Sequence, residues 1–280
     1  MVTSPQRYTL ESVKQDVMSF FKDNNHWAYQ YGSRSTSCNK DSVFYKKQIQ
    51  VIFEDLYPHD VTGKAVNELI QDGFLKLEPR FFGKNDHAIF VWRYNVRYTS
   101  NEIKGRIRIM KQFFDEELNK GAGREAENLF NHLFKANQFR TIARHTRTFR
   151  GKTWPMSGKN LDFIIEKDGI CYGVEVKNTL DYMPPDEFQE KLDMCHFLGL
   201  LPMFPLRCPS DQQFATMEQI GGMALKFKSR IFPQGNRRLI NDIWNHFRLP
   251  VTIWDEIPPP IQRILIRYHH YNTKTKAIST

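Results

Sequence analysis

The segment LDFIIEKDGICYGVEVKN, residues 161–178, constrains the fold more than any other part of the chain. Two runs rich in apolar residues flank Asp168 and Gly169, a dipeptide that readily takes the positive φ angles of a type I′ turn. The sequence therefore predicts a β-hairpin with a two-residue turn, in which residues equally distant from the turn are paired. Phe163 then lies opposite Val174, and the rest of the ladder follows from this register.

The same register places two acids across from each other. Asp162 falls opposite Glu175, and Lys177 lies on the same face because side chains alternate along a strand. Like charges directly opposite each other destabilise a hairpin, since their Cβ atoms are only about 4.5–5.5 Å apart. A hard divalent cation such as Mg²⁺ prefers oxygen ligands and would resolve this conflict. The other face is the predicted core face, made of Phe163, Ile165, Tyr172, Val174 and Val176.

Composition favours a polyanionic partner. The chain has 280 residues, enough for two ordinary domains, and its 40 Lys and Arg against 31 Asp and Glu give a net charge of +9. This charge favours nucleic acid, with a merely basic soluble protein as the alternative. No run approaches the ~20 apolar residues of a membrane span. The four cysteines lack the C-x-x-C spacing of zinc fingers. Because no signal peptide is visible, we expect reduced thiols in a cytoplasmic protein, nucleoid-associated if prokaryotic.

Residues 8–100 predict three helices followed by a β-hairpin. Thr62 is the predicted N-cap of the third helix and Gly73 its end, and the strands FLKLEPRFF and HAIFVWRYNV come next. A helix followed by a two-stranded wing resembles a winged helix-turn-helix domain, which implies contact with DNA, and docking of a protein partner is the alternative. The predicted DNA-contacting residues are Lys64 in the helix and Arg80, Lys84 and Arg93 in the wing.

The remaining chain predicts a mixed α/β domain. Residues 101–120 form a connecting helix with an apolar stripe, and residues 121–207 follow in the order helix, strand, strand, strand, helix, strand. The last strand, LPMFPLRC, contains two prolines and is expected near a sheet edge. We therefore expect a winged-helix-like α+β domain at 1–105. A domain at 106–280 follows, in which helices flank a central mixed sheet and a helical extension ends the chain.

A basic segment leads into the hairpin. No carboxylate side chain occurs between Glu127 and Asp162, whereas seven cations do. Such a run predicts a surface that binds phosphates, with a solvated basic loop as the alternative. Trp154 within it either stacks on a base or packs in the core. The cations are Lys135, Arg140, Arg144, Arg147, Arg150, Lys152 and Lys159.

Asp162 followed by Glu175-Val176-Lys177 resembles the D…E-x-K signature of the PD-(D/E)XK nuclease superfamily, which has the restriction-endonuclease-like fold. The element order of residues 121–207 matches the core of that family. The resemblance implies an Mg²⁺-dependent endonuclease that hydrolyses DNA phosphodiester bonds, with Mn²⁺ as a substitute. It implies that Asp162, Glu175 and the Val176 carbonyl bind the metal and that Lys177 orients the attacking water. Glu127 matches the additional acid on the preceding helix.

Several alternatives remain open at this level. Glu125 is a second candidate for the acid on the helix, and Gln189 and Lys191 either approach the cleft or lie on a helix surface. Leu161 stands where many family members have proline. The substrate is expected to be duplex DNA, in restriction, mobile-element or junction processing. A non-catalytic DNA-binding or assembly protein, an RNA-processing nuclease and a homodimeric arrangement are the other possibilities.

Overall fold

The computed structural model describes residues 8–22, 43–82, 87–97 and 99–279. The predicted DNA contact Lys84 lies outside these described residues. The chain divides into two compact units. The first unit consists of Met1–Glu116 and Arg238–Pro250, and the second unit consists of Glu117–Arg237 and Val251–Thr280.

The described elements are numbered here in chain order. The helices are α1 (Leu10–Lys22), α2 (Lys46–Ile52), α3 (His59–Gln71), α4 (Thr99–Phe113), α5 (Glu116–Ala136), α6 (Pro185–Leu198), α7 (Asp211–Gln219), α8 (Arg237–Phe247) and α9 (Pro259–Ser279). The strands are β1 (Val43–Tyr45), β2 (Leu75–Phe81), β3 (His87–Arg93), β4 (Arg140–Thr146), β5 (Thr148–Phe149), β6 (Lys152–Thr153), β7 (Leu161–Lys167), β8 (Ile170–Val174), β9 (Leu201–Leu206), β10 (Met223–Lys226), β11 (Arg230–Ile231) and β12 (Val251–Thr252). None of the described helices is both long enough and apolar enough to cross a membrane.

In the first unit, helices α1, α2 and α3 pack on a small antiparallel sheet with the strand order β1-β3-β2. Val17, Ile49, Leu69 and Val91 from these elements are fully buried in one apolar core. The three predicted helices and the strand pair β2–β3 are present. The short strand β1 was missed by the sequence analysis, because three residues are too few to show a periodicity and its pairing partner lies far along the chain.

The start of α3 differs from the prediction. The helix begins at His59 after the extended residue Pro58, so Thr62 lies inside its first turn and not at its cap. The Thr62 hydroxyl donates to the Pro58 carbonyl at 3.2 Å, a bond that satisfies this buried side chain within the helix. The cap prediction was wrong because threonine hydroxyls make such local bonds inside helices as well as at their ends.

The second unit contains a five-stranded sheet with the order β10-β9-β8-β7-β4. Strands β4, β7 and β8 are antiparallel, whereas β8, β9 and β10 are parallel. This mixed sheet, with helices packed on it, confirms the predicted α/β class. Because side chains alternate, Phe163 of β7 enters a core with Phe130 of α5 and Leu265 of α9, while Ile164 enters another core with Leu192 of α6.

The prediction that LPMFPLRC lies near an edge was wrong. Strand β9 is an inner strand that pairs with β8 on one side and β10 on the other. A proline lacks only the N–H donor, and its carbonyl still accepts. The Pro205 carbonyl does so from the Lys177 N–H at 2.9 Å. The prolines therefore weaken the ladder locally but do not confine the strand to an edge.

Candidate active site

The hairpin has the predicted turn, and the predicted register holds up to the pair of Phe163 and Val174. The predicted pair of Asp162 and Glu175 is not part of the ladder, because the second strand ends at Val174. Asp168 and Gly169 have φ angles of 51° and 71°, which is the left-handed conformation that a type I′ turn requires at both positions. Phe163 pairs with Val174 as expected. The Gly169 N–H donates to the Glu166 carboxylate at 3.1 Å and fixes the turn further.

At the open end of the hairpin, the backbone leaves the ladder. Pairing of β8 with β9 stops at Val174, and the next bridge joins Lys177 to Leu206. Pro205 lies in this gap and has no N–H to donate, which removes one ladder hydrogen bond there. The Val176 N–H instead donates to the Asp162 Oδ2 at 2.7 Å. The sheet irregularity therefore fixes the orientation of the Asp162 carboxylate.

Glu127, His145 and Asp162 converge at this end of the sheet. One potential ligand atom of each lies within 4.8 Å of the others, and His145 Nε2 is 3.7 Å from Glu127 Oε2. Helix α5 supplies Glu127, as the resemblance implied, and the group does not include the alternative Glu125. The sequence analysis did not assign His145 to the site.

The position of His145 follows from the pairing of β4 with β7. Its neighbours Arg144 and Thr146 pair with Phe163 and Leu161, so His145 lies across from Asp162. Its φ of 46° is in the left-handed region, which is uncommon for residues other than glycine. In the sequence, His145 is only one histidine among basic residues. Its place opposite Asp162 depends on the register shift between Thr141 and Ala143, which no sequence pattern indicates.

The two carboxylates of this cluster, Glu127 and Asp162, lie close together and are partly shielded from water. Burial raises the pKa of Asp162 above its ordinary value. Burial and then the Asp162 charge raise the pKa of Glu127. Both shifts mean that the ionised carboxylates are electrostatically disfavoured here. The two carboxylates and the imidazole therefore fit a divalent cation, because a bound positive charge would favour the ionised forms.

Glu175 is held separately from this cluster. Its Oε2 forms an ion pair with Lys191 Nζ of α6 at 2.6 Å, and both side chains are more than nine-tenths buried. Lys191 also donates to the Asn160 carbonyl. Burial and the Asp162 charge raise the pKa of Glu175 to about 8, although the Lys191 ammonium acts in the opposite direction. Of the two alternatives for Lys191, the structure shows the buried position beside the site.

Lys177 forms an ion pair with Glu187 of α6. Its Nζ donates to both carboxylate oxygens of Glu187 at 2.7 and 2.8 Å, and its side chain is one-quarter exposed. Glu187 and Lys191 are four residues apart on α6 and therefore share one helix face. This face presents an acid to Lys177 and an ammonium to Glu175. The i, i+4 spacing of opposite charges was visible in the sequence, but its target was not.

Six of the seven predicted phosphate-binding residues fall into two groups, and the seventh, Lys135, is exposed on α5. Some are engaged within the protein. Arg140 pairs with Glu166 at 2.8 Å, Lys159 pairs with Glu190 at 2.6 Å, and Arg147 donates to the Ser157 carbonyl at 2.7 Å. Arg144, Arg150 and Lys152 are exposed and have no ion pair among the described residues. Arg150 lies in the turn between β5 and β6 with φ of 48°. Trp154 is buried and packs at an angle on Phe197, which favours the packing alternative.

In the first unit, two predicted DNA contacts have acidic neighbours. Lys64 Nζ is 3.7 Å from Asp60 on the same helix, and Arg80 pairs with Glu78 on β2. Both pairs lie at the surface, where ion pairs contribute only about 0–1 kcal/mol. Arg93 lies over the Phe74 ring at 5.8 Å.

The chain matches no family model, no curated protein and no solved structure.

Proposed function

We propose that this protein is a metal-dependent endonuclease that hydrolyses phosphodiester bonds in duplex DNA. The proposal is supported chiefly by the convergence of Glu127, His145 and Asp162 within 4.8 Å, beside the buried pair of Glu175 and Lys191. Strong perturbation of several acids at one place is typical of catalytic sites. The resemblance of Asp162 and Glu175-Val176-Lys177 to the nuclease signature points to the same chemistry.

The residues that would hold the metal are Glu127, Asp162 and His145. Mg²⁺ or Mn²⁺ bound there would supply Lewis-acid charge that stabilises the negative charge developing on a phosphate under attack. Glu175 and the Val176 carbonyl are the further ligands that the resemblance implies. Lys191 donates to Oε2 of Glu175, so Oε1 is the oxygen that would join the metal ligands while this hydrogen bond is kept.

The protein groups around this centre have separable roles. The Val176 N–H orients Asp162, and Lys191 compensates the charge of Glu175. The Lys177 side chain is one-quarter exposed, whereas Lys191 is buried. Lys177 therefore carries the ammonium that a substrate phosphate can reach. It would stabilise the charge of the transition state and orient the attacking water. Lys177 is therefore the proposed catalytic lysine, and Lys191 is the proposed positioning lysine.

The preference for duplex DNA is supported by surface charge and by the first unit. Arg144, Arg150 and Lys152 are exposed next to the site in sequence and lack internal ion pairs among the described residues. The element order of the first unit, α1-β1-α2-α3-β2-β3, supports the proposed winged helix. Such domains commonly bind DNA, and docking of a protein partner is the alternative use.

Nicking of supercoiled plasmid tests the proposal. We expect the wild-type protein to nick plasmid when Mg²⁺ or Mn²⁺ is present and not in EDTA. Asp162→Asn keeps the acceptor for the Val176 N–H but removes the charge, and should lose cleavage by on the order of 10²-fold or more. Asp193→Asn is the matched control because this acid is exposed on α6.

Structured RNA and single-stranded DNA are run in parallel. Faster cleavage of RNA would replace the DNA assignment with an RNA-processing nuclease. Equal nicking by the wild type and Asp162→Asn, or no cleavage of any nucleic acid by the wild type, would overturn the proposed activity.

A further inference from the structure

Helix α9 carries a basic surface that the proposed catalytic site does not use. The chain has no Asp or Glu after Glu256, so α9 contains no acidic side chain. Its exposed side chains recur at intervals of three and four residues and therefore share one helix face. The α9 basic stripe is defined as Arg263, Arg267, His270, Tyr271 and Lys274.

The opposite face of α9 fixes the helix on the second unit. Leu265 is fully buried in the core with the sheet. The Tyr268 hydroxyl donates to the Gly221 carbonyl at 2.8 Å. These contacts leave the α9 basic stripe on the outer side, because residue 265 lies about half a turn away from 263, 267 and 274 at 3.6 residues per turn.

His269 prevents the helix from rotating. It is buried, and both of its ring nitrogens are engaged by the β7–β8 hairpin. Nδ1 lies 2.8 Å from the Tyr172 hydroxyl, and Nε2 lies 2.9 Å from the Asp168 carboxylate. Rotation of α9 would break both hydrogen bonds and expose Leu265. The outward direction of the α9 basic stripe is therefore set by the fold.

Among the described residues, no acidic side chain forms an ion pair with the cations of the stripe, Arg263, Arg267 and Lys274. They line a shallow surface depression of about 560 Å³ together with Ile266, His270 and Tyr271. Three cations without counter-charges on one rigid helix produce a local positive potential that attracts polyanions.

We propose that the α9 basic stripe binds the phosphate backbone of a nucleic acid without regard to sequence. This inference rests on the proposed function, since it assigns a second contact to the same substrate class. Arg263 and Lys274 are eleven residues apart, or about 16 Å along the helix at about 1.5 Å per residue. Phosphates follow one another every ~3.4 Å along the axis of one DNA strand, so several lie within reach of the stripe.

An anionic membrane fits this surface less well. A helix that lies on a bilayer turns a broad apolar face toward the acyl chains. The broad apolar face of α9 is already buried against the sheet, and Ile264 and Tyr271 are the only large apolar side chains that the described part of α9 exposes beside Arg263, Arg267 and Lys274. Membrane binding is therefore the outcome that competes with the proposal.

The test measures DNA binding by the full-length protein in EDTA. Fluorescence anisotropy with two duplexes of unrelated sequence is recorded over a salt series. The triple variant Arg263→Gln, Arg267→Gln, Lys274→Gln should bind both duplexes more weakly. Its plot of log binding constant against log salt should be less steep, by about 0.9 for each lost phosphate contact. The corresponding lysine variant, Arg263→Lys with Arg267→Lys, should retain binding because it keeps the charge.

A control triple removes the same charge elsewhere. Lys14, Lys46 and Lys120 each bond to an acid or an amide within the protein, so their change to glutamine should leave the salt slope near that of the wild type. Equal slopes for the stripe and control variants would overturn the proposal. Stripe-dependent binding to phosphatidylserine vesicles without any effect on duplex binding would also overturn it. Plasmid nicking is measured separately. If the wild type nicks plasmid but the stripe variant keeps the wild-type salt slope, the stripe proposal is refuted and the proposed nuclease activity is not.

Discussion

Asp162 shows how one residue links the sheet to the proposed chemistry. One of its oxygens accepts the Val176 N–H, and its carboxylate lies within reach of Glu127 and His145. The backbone bond fixes an acid that burial would otherwise favour in the neutral form. An aspartate that is oriented but electrostatically disfavoured is prepared for a cation, and this argument would apply to no surface carboxylate.

His145 should affect the choice of metal. Imidazole suits first-row transition metals, whereas Mg²⁺ prefers oxygen ligands. We expect His145→Ala to weaken Mn²⁺ binding by on the order of 10-fold, the scale of losing a supporting group at a metal site, and to change Mg²⁺ binding less. Calorimetric titration of the metal-free protein measures both constants. His132→Ala, at an exposed position of α5, is the control. An unchanged affinity for Mn²⁺ in the His145 variant would remove the imidazole from the site.

The two lysines should separate activity from stability. Lys177→Gln is expected to keep its melting temperature within a few degrees, because the Lys177–Glu187 pair is partly exposed. It should lose cleavage by on the order of 10²-fold, the effect of removing one positioned charge. Lys191→Gln should lower the melting temperature as well, because it leaves Glu175 buried without its ammonium partner.

Single-turnover cleavage beside a thermal melt distinguishes the two lysine roles. A Lys177→Gln protein that cleaves at the wild-type rate would show that this lysine only forms an ion pair with Glu187. A Lys191→Gln protein as stable as the wild type would show that its buried pair contributes nothing to folding.

At the scale of elements, α6 aligns the charges of the site. Pro185 occupies its first turn, where a missing N–H is not needed, and Gly199 ends it in the left-handed conformation. Pro185 and Gly199 thus set where the helix begins and ends. The helix between them carries Glu187 and Lys191 on one face. The contact between α6 and the sheet must also be close enough for Lys191 to reach Glu175.

Gly173 on β8 permits this close approach. A Cβ atom there would lie 2.5 Å from Cys195 Sγ on α6 and 3.0 Å from a methyl group of Leu161. We expect Gly173→Ala to lower the free energy of unfolding by about 1–3 kcal/mol, the usual result of overpacking a core. Urea denaturation measures the change. Gly158→Ala is the matched control, because a Cβ atom there meets nothing within 4 Å.

A second variant tests whether the contact with Cys195 causes the loss of stability. Cys195→Ala removes the sulfur that the new methyl group would strike, so the double variant with Gly173→Ala should recover part of the loss. A Gly173→Ala protein at least as stable as the wild type would show that α6 does not pack on β8 at this distance.

At the scale of the whole molecule, the first unit is not continuous in sequence. Residues 238–250 return to it after the chain has built most of the second unit. Within the first unit, the buried Arg106 donates to the His246 carbonyl, and its guanidinium lies 5.3 Å from the Phe247 ring. The second segment thus completes the surroundings of a buried cation.

This return predicts the behaviour of fragments. Residues 1–116 alone should unfold less cooperatively than the same fragment joined to residues 238–250 by a flexible linker. Without the second segment, Arg106 loses the His246 carbonyl as an acceptor and the Phe247 ring as a packing partner, a cation–π contact worth about 0.5–2 kcal/mol. Thermal unfolding followed by circular dichroism compares the two. Identical melting curves would mean that residues 238–250 do not stabilise the first unit.

Sequence by itself determined the local features of this protein. The Asp168-Gly169 turn fixed the register of the hairpin, and prolines and a glycine marked the ends of α6. Apolar periodicity predicted the mixed α/β class and the helix that carries Glu127. These features depend on backbone preferences and side-chain alternation over a few residues, which are readable without knowing what packs where. The nuclease and DNA-binding assignments remain predictions that the experiments above test.

Only the tertiary structure decided the partners of the charged residues and the places of several elements. In the folded protein Glu175 pairs with Lys191, Lys177 pairs with Glu187, and His145 lies close to Asp162. The tertiary structure also placed β9 inside the sheet and returned α8 to the first unit. Each of these depends on contacts between residues distant along the chain. Such contacts are selected by the packing of whole elements, so no short sequence pattern encodes them.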